Sequence, residues 1–156
     1  MKTIATISVL ALATSFASAQ TQRREIRLAD CPQAVQSTIQ SNARGGHIDE
    51  VDFISIDGKE IYIAEVDLPR DRDLKVYVSG NGTLSKTLED IALREAPEAV
   101  RNAVQGLGGT VDDVDKEIAG QVVTYHVEIE RHGARDLDVV VSSDGTILSQ
   151  TEDADD

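Results

Sequence analysis

The sequence predicts an α+β protein: a tandem duplication of an α-β-β-β unit, its strands in an antiparallel sheet and its helices packed on one face. Three observations carry that expectation. An apolar stripe at helical spacing occurs twice, each stripe is followed by runs of alternating residues, and the two halves superimpose on each other. Residues 45–90 lie on 108–153 without a gap, a shift of 63 residues, and 17 of the 46 pairs are identical. The densest block pairs Arg72-Asp73-Leu74 with Arg135-Asp136-Leu137, then Val76, Val78 and Ser79 with Val139, Val141 and Ser142. It closes with Gly82-Thr83 against Gly145-Thr146. Upstream the match resumes after a two-residue adjustment, Pro32-Gln33-Ala34-Val35 against Pro97-Glu98-Ala99-Val100. Gly58 and Gly120 stand one position out of register, which reads as compensating insertions in a loop.

Each unit opens with a helix, about 31–43 and 96–107. Ala34, Val35, Ile39 and Ala43 make one stripe, and Ala99, Val100, Ala103, Val104 and Leu107 the other. Pro32 and Pro97 suit a first helical turn, where a missing N–H costs nothing. Asp30 is the expected N-cap, and Gly45-Gly46 and Gly108-Gly109 are the stop signals. Strands follow at 48–56 and 111–119. The next pair, 59–67 and 121–130, points Tyr62, Ala64 and Val66 one way, as it does Tyr125, Val127 and Ile129. The third pair, 73–79 and 136–142, lines up Leu74, Val76 and Val78, and Leu137, Val139 and Val141. Gly80-Asn81-Gly82 and Ser143-Asp144-Gly145 are hairpin turns that demand positive φ. Short return strands are expected near 83–87 and 146–150. A unit of about 60 residues is marginal alone, and two side by side solve that problem.

Before the units, Lys2, the apolar run Ile4 to Phe16 and Ala17-Ser18-Ala19 have the form of a cleaved signal peptide over 1–19. The apolar run is too short to span a bilayer, so membrane insertion is not expected. The remaining division is a linker over 20–27, repeats over 28–90 and 91–153, and an acidic tail over 154–156. The expected location is periplasmic or secreted. Net charge is −13, which argues against nucleic acid as a partner and for solubility, cationic partners or weakly held divalent ions. Aromatics are 3% with no Trp, and the one cysteine allows no internal disulfide. A core of Val, Ile, Leu and Ala must hold the fold.

The motifs Pro-x-Ala-Val, Tyr62-Ile63-Ala64-Glu65-Val66, Asp73-Leu74-Lys75-Val76-Tyr77-Val78 and Asn81-Gly82-Thr83 recur in the second half. In this order they resemble the secreted PepSY-like domains, known also as β-lactamase-inhibitor-like. The resemblance covers Leu28 to Asp153. It implies tandem α-β-β-β units, an antiparallel sheet with helices on one side, and proteins that offer the sheet face to a partner.

The chain shows no nucleophile motif, phosphate loop or paired-cysteine metal motif, so no catalytic residue, metal site or cofactor is expected and the protein is not expected to be an enzyme. His47, His126 and His132 are scattered. A metal site on His126 with Glu65 or Glu128 would require the two copies to meet there. Cys31, at a helix start, stands where the second copy has Ala96 and reads as a small packed residue. The acidic runs 112–115 and 152–156 lack calcium-loop spacing and read as solvated surface. The stronger candidate is the sheet face opposite the helices. Alternation assigns it Ile61, Ile63, Glu65, Lys75 and Tyr77 in the first copy. The second copy supplies Thr124, His126, Glu128, Asp138 and Val140. Ile61, Ile63 and Tyr77 there form an apolar patch with a charged rim, suited to an unidentified protein partner. The alternative is an acidic protein that binds a small ligand or divalent cation.

Overall fold

The computed structural model describes residues 21–152. In order the elements are β1 (Thr21–Ile26), a 3₁₀ turn (Leu28–Asp30), α1 (Gln33–Asn42), β2 (His47–Ile56), β3 (Lys59–Leu68), β4 (Arg72–Ser79) and β5 (Leu84–Asp90). A second 3₁₀ turn (Leu93–Glu95), α2 (Glu98–Gln105), β6 (Thr110–Ala119), β7 (Val122–Glu130), β8 (Leu137–Ser142) and β9 (Ile147–Glu152) complete it. The nine strands form one sheet in sequential order, every neighbouring pair antiparallel. The expected signal peptide and the tail 154–156 lie outside the described residues.

One helix stripe packs on each half of the sheet. Val35, Ile39 and Ala43 meet Val51, Phe53, Tyr62, Ala64, Val66, Leu74, Val76 and Val78. Val100 and Val104 meet Val114, Tyr125, Val127, Ile129, Leu137, Val139 and Val141. Directly paired residues point the same way, so the register carries one face across the whole sheet. Val76 opposes Thr87 and Thr87 opposes Ile118. Glu89 opposes Lys116, Lys116 opposes Tyr125, and Tyr125 opposes Val141. Both helices therefore sit on one side. Between their two cores that side turns polar: Thr87 and Glu89 are buried. Glu89 accepts a hydrogen bond from Arg44 just after α1 and lies 3.7 Å from Arg72 of β4. An ion-paired strip thus separates two apolar clusters within a single sheet.

Three local expectations need correction. The segment expected as a linker over 20–27 contains strand β1. Its register on β2 sets Arg23 against Ile54 and Glu25 against Asp52, as β5 sets Leu88 against Glu117 and Asp90 against Asp115. Arg23 pairs with Asp52 at 2.6 Å, and the Arg24 guanidinium lies 4.8 Å over the Phe53 ring. Charged residues mask this strand because it is an edge, with little apolar alternation to show. Asp30 does not cap α1. The cap position is Pro32, without a side-chain bond, and Asp30 accepts two bonds from Arg27 at 2.9 and 3.1 Å. Finally, Gly58 and Gly120 need no insertion. The β2–β3 turn has positive φ at both Asp57 and Gly58, the type I′ pattern, whereas the β6–β7 turn has it at Gly120 and not at Gln121, the type II′ pattern. The loop length is the same, and the glycine moves with the turn type. The two-residue adjustment upstream falls in the helices, ten residues in α1 and eight in α2.

Candidate functional site

The helix-free face is built by the register itself. Ile54 opposes Ile61, Ile63 opposes Tyr77, Glu65 opposes Lys75, and Lys75 opposes Leu88. Further along, Asp115 opposes His126, His126 opposes Val140, and Glu128 opposes Asp138. All ten residues assigned from the sequence lie on this one face: Ile61, Ile63, Glu65, Lys75, Tyr77, Thr124, His126, Glu128 and Val140 are half-buried and Asp138 is exposed. They do not form one cluster, however. Ile61, Ile63 and Tyr77 gather on β3 and β4, with Ile54 and Leu88 extending the apolar patch. His126, Glu128 and Val140 lie on β7 and β8, across β5 and β6. No described element covers the face. At about 4.8 Å between strands it is roughly 40 Å wide.

Sequence reasoning missed Ile54 and Leu88. Ile54 follows an irregularity between Ile48 and Val51 that resets the phase of β2. Leu88 lies between Thr87 and Glu89, so β5 shows polar residues on its buried side and an apolar one on its open side. Extending the repeat upstream would have revealed β1, since Ile26 and Leu28 correspond to Ile91 and Leu93.

The charges on this face fall into two kinds. Those beside the apolar patch are paired within the protein, Glu65 with Lys75 at 3.3 Å and Lys86 with Glu117 at 2.8 Å, and the His126 imidazole lies 3.3 Å from Glu117. The Lys86 ammonium also lies 4.8 Å over the Tyr77 ring. Toward the opposite strand ends the acids face one another. Asp67 opposes Asp73 and Asp90 opposes Asp115 across neighbouring strands, and Asp113 opposes Glu128. Like charges directly opposite destabilise a sheet. Among the described residues, the ion pairs leave out Asp67, Asp73, Asp90, Asp113, Asp115 and Asp138. A shallow depression of about 310 Å³ opens here, lined by Asp113, Asp115, His126, Glu128, Asp138 and Val140.

Burial and the neighbouring carboxylates Asp113 and Asp90 push the Asp115 pKa above its ordinary value, against the relief supplied by His126 and Lys75. Asp90 is raised by burial and by Asp113 and Asp73, against the relief supplied by Arg72. An acid whose pKa is raised by folding binds more protons folded than unfolded, so its charge opposes folding at neutral pH and that penalty fades as pH falls. Asp115→Asn should therefore melt about 2 °C above the parent at pH 7. The difference should shrink as pH drops through the range just above the ordinary aspartate pKa. Thermal melts at pH 7 and pH 4 check both statements, and a variant that melts lower at pH 7 contradicts them.

Other candidates fare less well. The Cys31 side chain is buried in the first core, its Sγ 3.7 Å from the Arg27 carbonyl, and burial followed by the Asp30 charge raises its pKa. It sits as a small packed residue and is held as a thiol. Among the described residues no group of three or more His, Cys, Asp and Glu is arranged to hold a metal ion. A cleft at the strand ends, lined by Arg70, Arg72, Arg94, Asp90, Glu95 and Asp113, mixes both signs of charge. Its Arg72 lies 3.6 Å from Glu95 and 3.7 Å from Glu89. No helix among the described residues is long and apolar enough to cross a membrane.

No family model matches the sequence, and neither does any curated protein. Solved structures do match in fold. A DUF2874 family protein from Bacteroides uniformis superposes with TM-score 0.64 at 21% identity, over 78% of this chain and 89% of that one. A protein from Bacteroides eggerthii, assigned provisionally to the periplasm, gives 0.65 at 16% identity, over 78% and 88%. A BLIP-like (β-lactamase-inhibitor-like) protein from Bacteroides fragilis gives 0.63 at 19%, over 81% and 90%. At these identities the likeness is one of fold: an α+β chain whose architecture is shared with DUF2874 and BLIP-like structures.

Proposed function

We propose that this chain is an exported, non-enzymatic PepSY-like module, made by duplication of one unit, that binds a protein partner through its helix-free sheet face. One observation carries the reading. Among the described residues both helices lie on one side of a nine-stranded sheet, leaving Ile54, Ile61, Ile63, Tyr77 and Leu88 as a half-buried apolar patch on the other. A patch of this kind beside charged groups is the composition of a protein interface. The sequence repeat supports the duplication, and the leader-like residues 1–19 support export. The fold shared with a BLIP-like protein and a provisionally periplasmic one agrees with both location and role.

The test is capture from the exported fraction of the source cells, using the intact protein as bait. Ile63→Asp places a charge at the centre of the patch, and Tyr77→Ala removes its largest ring. Each is expected to weaken capture of the partner at least tenfold while the far-ultraviolet circular dichroism stays that of the parent. Unchanged capture by both variants rules out this face.

A further inference from the structure

We infer that the partner is a basic protein segment, with lysine or arginine side chains entering the acidic depression while an apolar ridge covers the Ile63–Tyr77 patch. This rests on the helix-free face being the binding surface, and it specifies the chemistry of the occupant.

On a single face the protein neutralises some carboxylates and leaves others opposed. Glu65 and Glu117 each have a cation within 4 Å, Lys75 for the first and Lys86 for the second. The acids two residues further along the same strands are set directly against each other, Asp67 on Asp73 and Asp90 on Asp115. Asp113 and Asp138 continue the line on β6 and β8. A sheet that only had to be stable and soluble would alternate signs across strands. A row of like charges around a depression is the complement of a cationic surface, and it steers such a partner from a distance. The apolar patch and the acids are close enough for one partner. Tyr77 and Asp115 are two strands apart and displaced by four residues along the strand direction, which puts them roughly 15 Å from each other. The occupant must hold its basic and apolar groups at about that spacing.

Three peptides of eleven residues test this: Val-Thr-Val-Thr-Val-Thr-Lys-Thr-Lys-Thr-Lys, the same with glutamate for lysine, and the same with serine for valine. Extended, each sets its two kinds of side chain on one side at separations from about 7 Å to about 33 Å, a range that includes the required spacing. Binding to the intact protein is read by fluorescence anisotropy in 0.15 M salt. The valine–lysine peptide should bind at least tenfold more tightly than either counterpart. Combined Asp90→Asn, Asp113→Asn and Asp115→Asn should weaken it about tenfold. Asp57→Asn, Glu60→Gln and Glu98→Gln together change net charge equally but lie off the face, and should leave binding within twofold. The inference is overturned if the valine–lysine peptide does not bind, if the glutamate peptide binds as well, or if both triple variants behave alike. Weakening by Ile63→Asp without weakening by the on-face triple leaves the face as the site and removes the basic partner. No effect of either removes the face as well. Light scattering closes the remaining route: a dimer of the parent that Ile63→Asp dissociates would make a second copy the occupant and overturn the inference.

Discussion

Leu74→Ala should cost about 3 kcal/mol and lower the melting temperature by about 10 °C, whereas Tyr77→Ala, three residues along the same strand, should cost less than about 1 kcal/mol. Leu74 is 0% exposed and belongs to the cluster that α1 closes. Truncating it removes three buried carbons and leaves a hole bounded by a helix and a sheet that cannot both move in. Tyr77 opposes Ile63 on the other side, is only half-buried, and loses a ring that no described element covers. Denaturant melts of the two variants measure this directly. Equal costs would mean that the two faces of β4 are equally packed, and the site would lose its physical basis. Leu137, the corresponding residue of β8, is 2% exposed and should behave like Leu74.

Gly82→Ala is expected to destabilise by about 3 kcal/mol, against about 1 kcal/mol for Gly58→Ala. Both glycines have positive φ, +86° and +78°, so both substitutions carry the backbone strain of a left-handed alanine. They differ in what the added carbon meets. At Gly58 there is nothing within 4 Å. At Gly82 a Cβ would stand 2.6 Å from the Ala34 Cβ and 3.0 Å from its carbonyl carbon. Ala34 is in the first turn of α1, so the clash is with helix backbone and cannot be relieved by a side-chain rotation. The turn is drawn in by the Thr38 hydroxyl, which donates to the Gly82 carbonyl at 2.7 Å. The second hairpin repeats the contact, since a Cβ on Gly145 would stand 2.7 Å from the Ala99 carbonyl oxygen. Urea titration of the two variants separates strain from clash. Comparable losses at Gly58 and Gly82 would show that the turn does not press on the helix.

Both hairpins also reveal why turn chemistry reads well from sequence. The Asn81 side chain accepts from the Ser79 hydroxyl and from the Thr83 N–H, and Asp144 accepts from Ser142 and Thr146 in the same way. Every partner lies within two residues, so the whole motif is contained in Ser-x-(Asn/Asp)-Gly-Thr. These bonds hold the Asp144 carboxylate below its ordinary pKa, the Ser142 hydroxyl first among them. Such local accounts also fixed β3, β4, β7 and β8, where every second residue is a buried apolar one and its neighbours face the open side, even where those neighbours are themselves apolar, as at Ile61, Ile63, Tyr77 and Val140.

The sequence by itself determined the elements and the phase of the central strands, because helical stripes, alternation and turn residues all act over a few neighbours. That is why Ile61, Ile63 and Tyr77 could be assigned to one side before any pairing was known. Only the tertiary structure decided what crosses between strands. It made β1 an edge strand through Arg23 and Asp52, 29 residues apart, and joined the two halves through β5 and β6 into a single sheet. It set Asp90 against Asp115, which no local pattern records, because the register of that pair depends on a helix and a loop intervening. The strand ends therefore became acidic and the middle paired by long-range register, while each strand's own alternation had already chosen its faces.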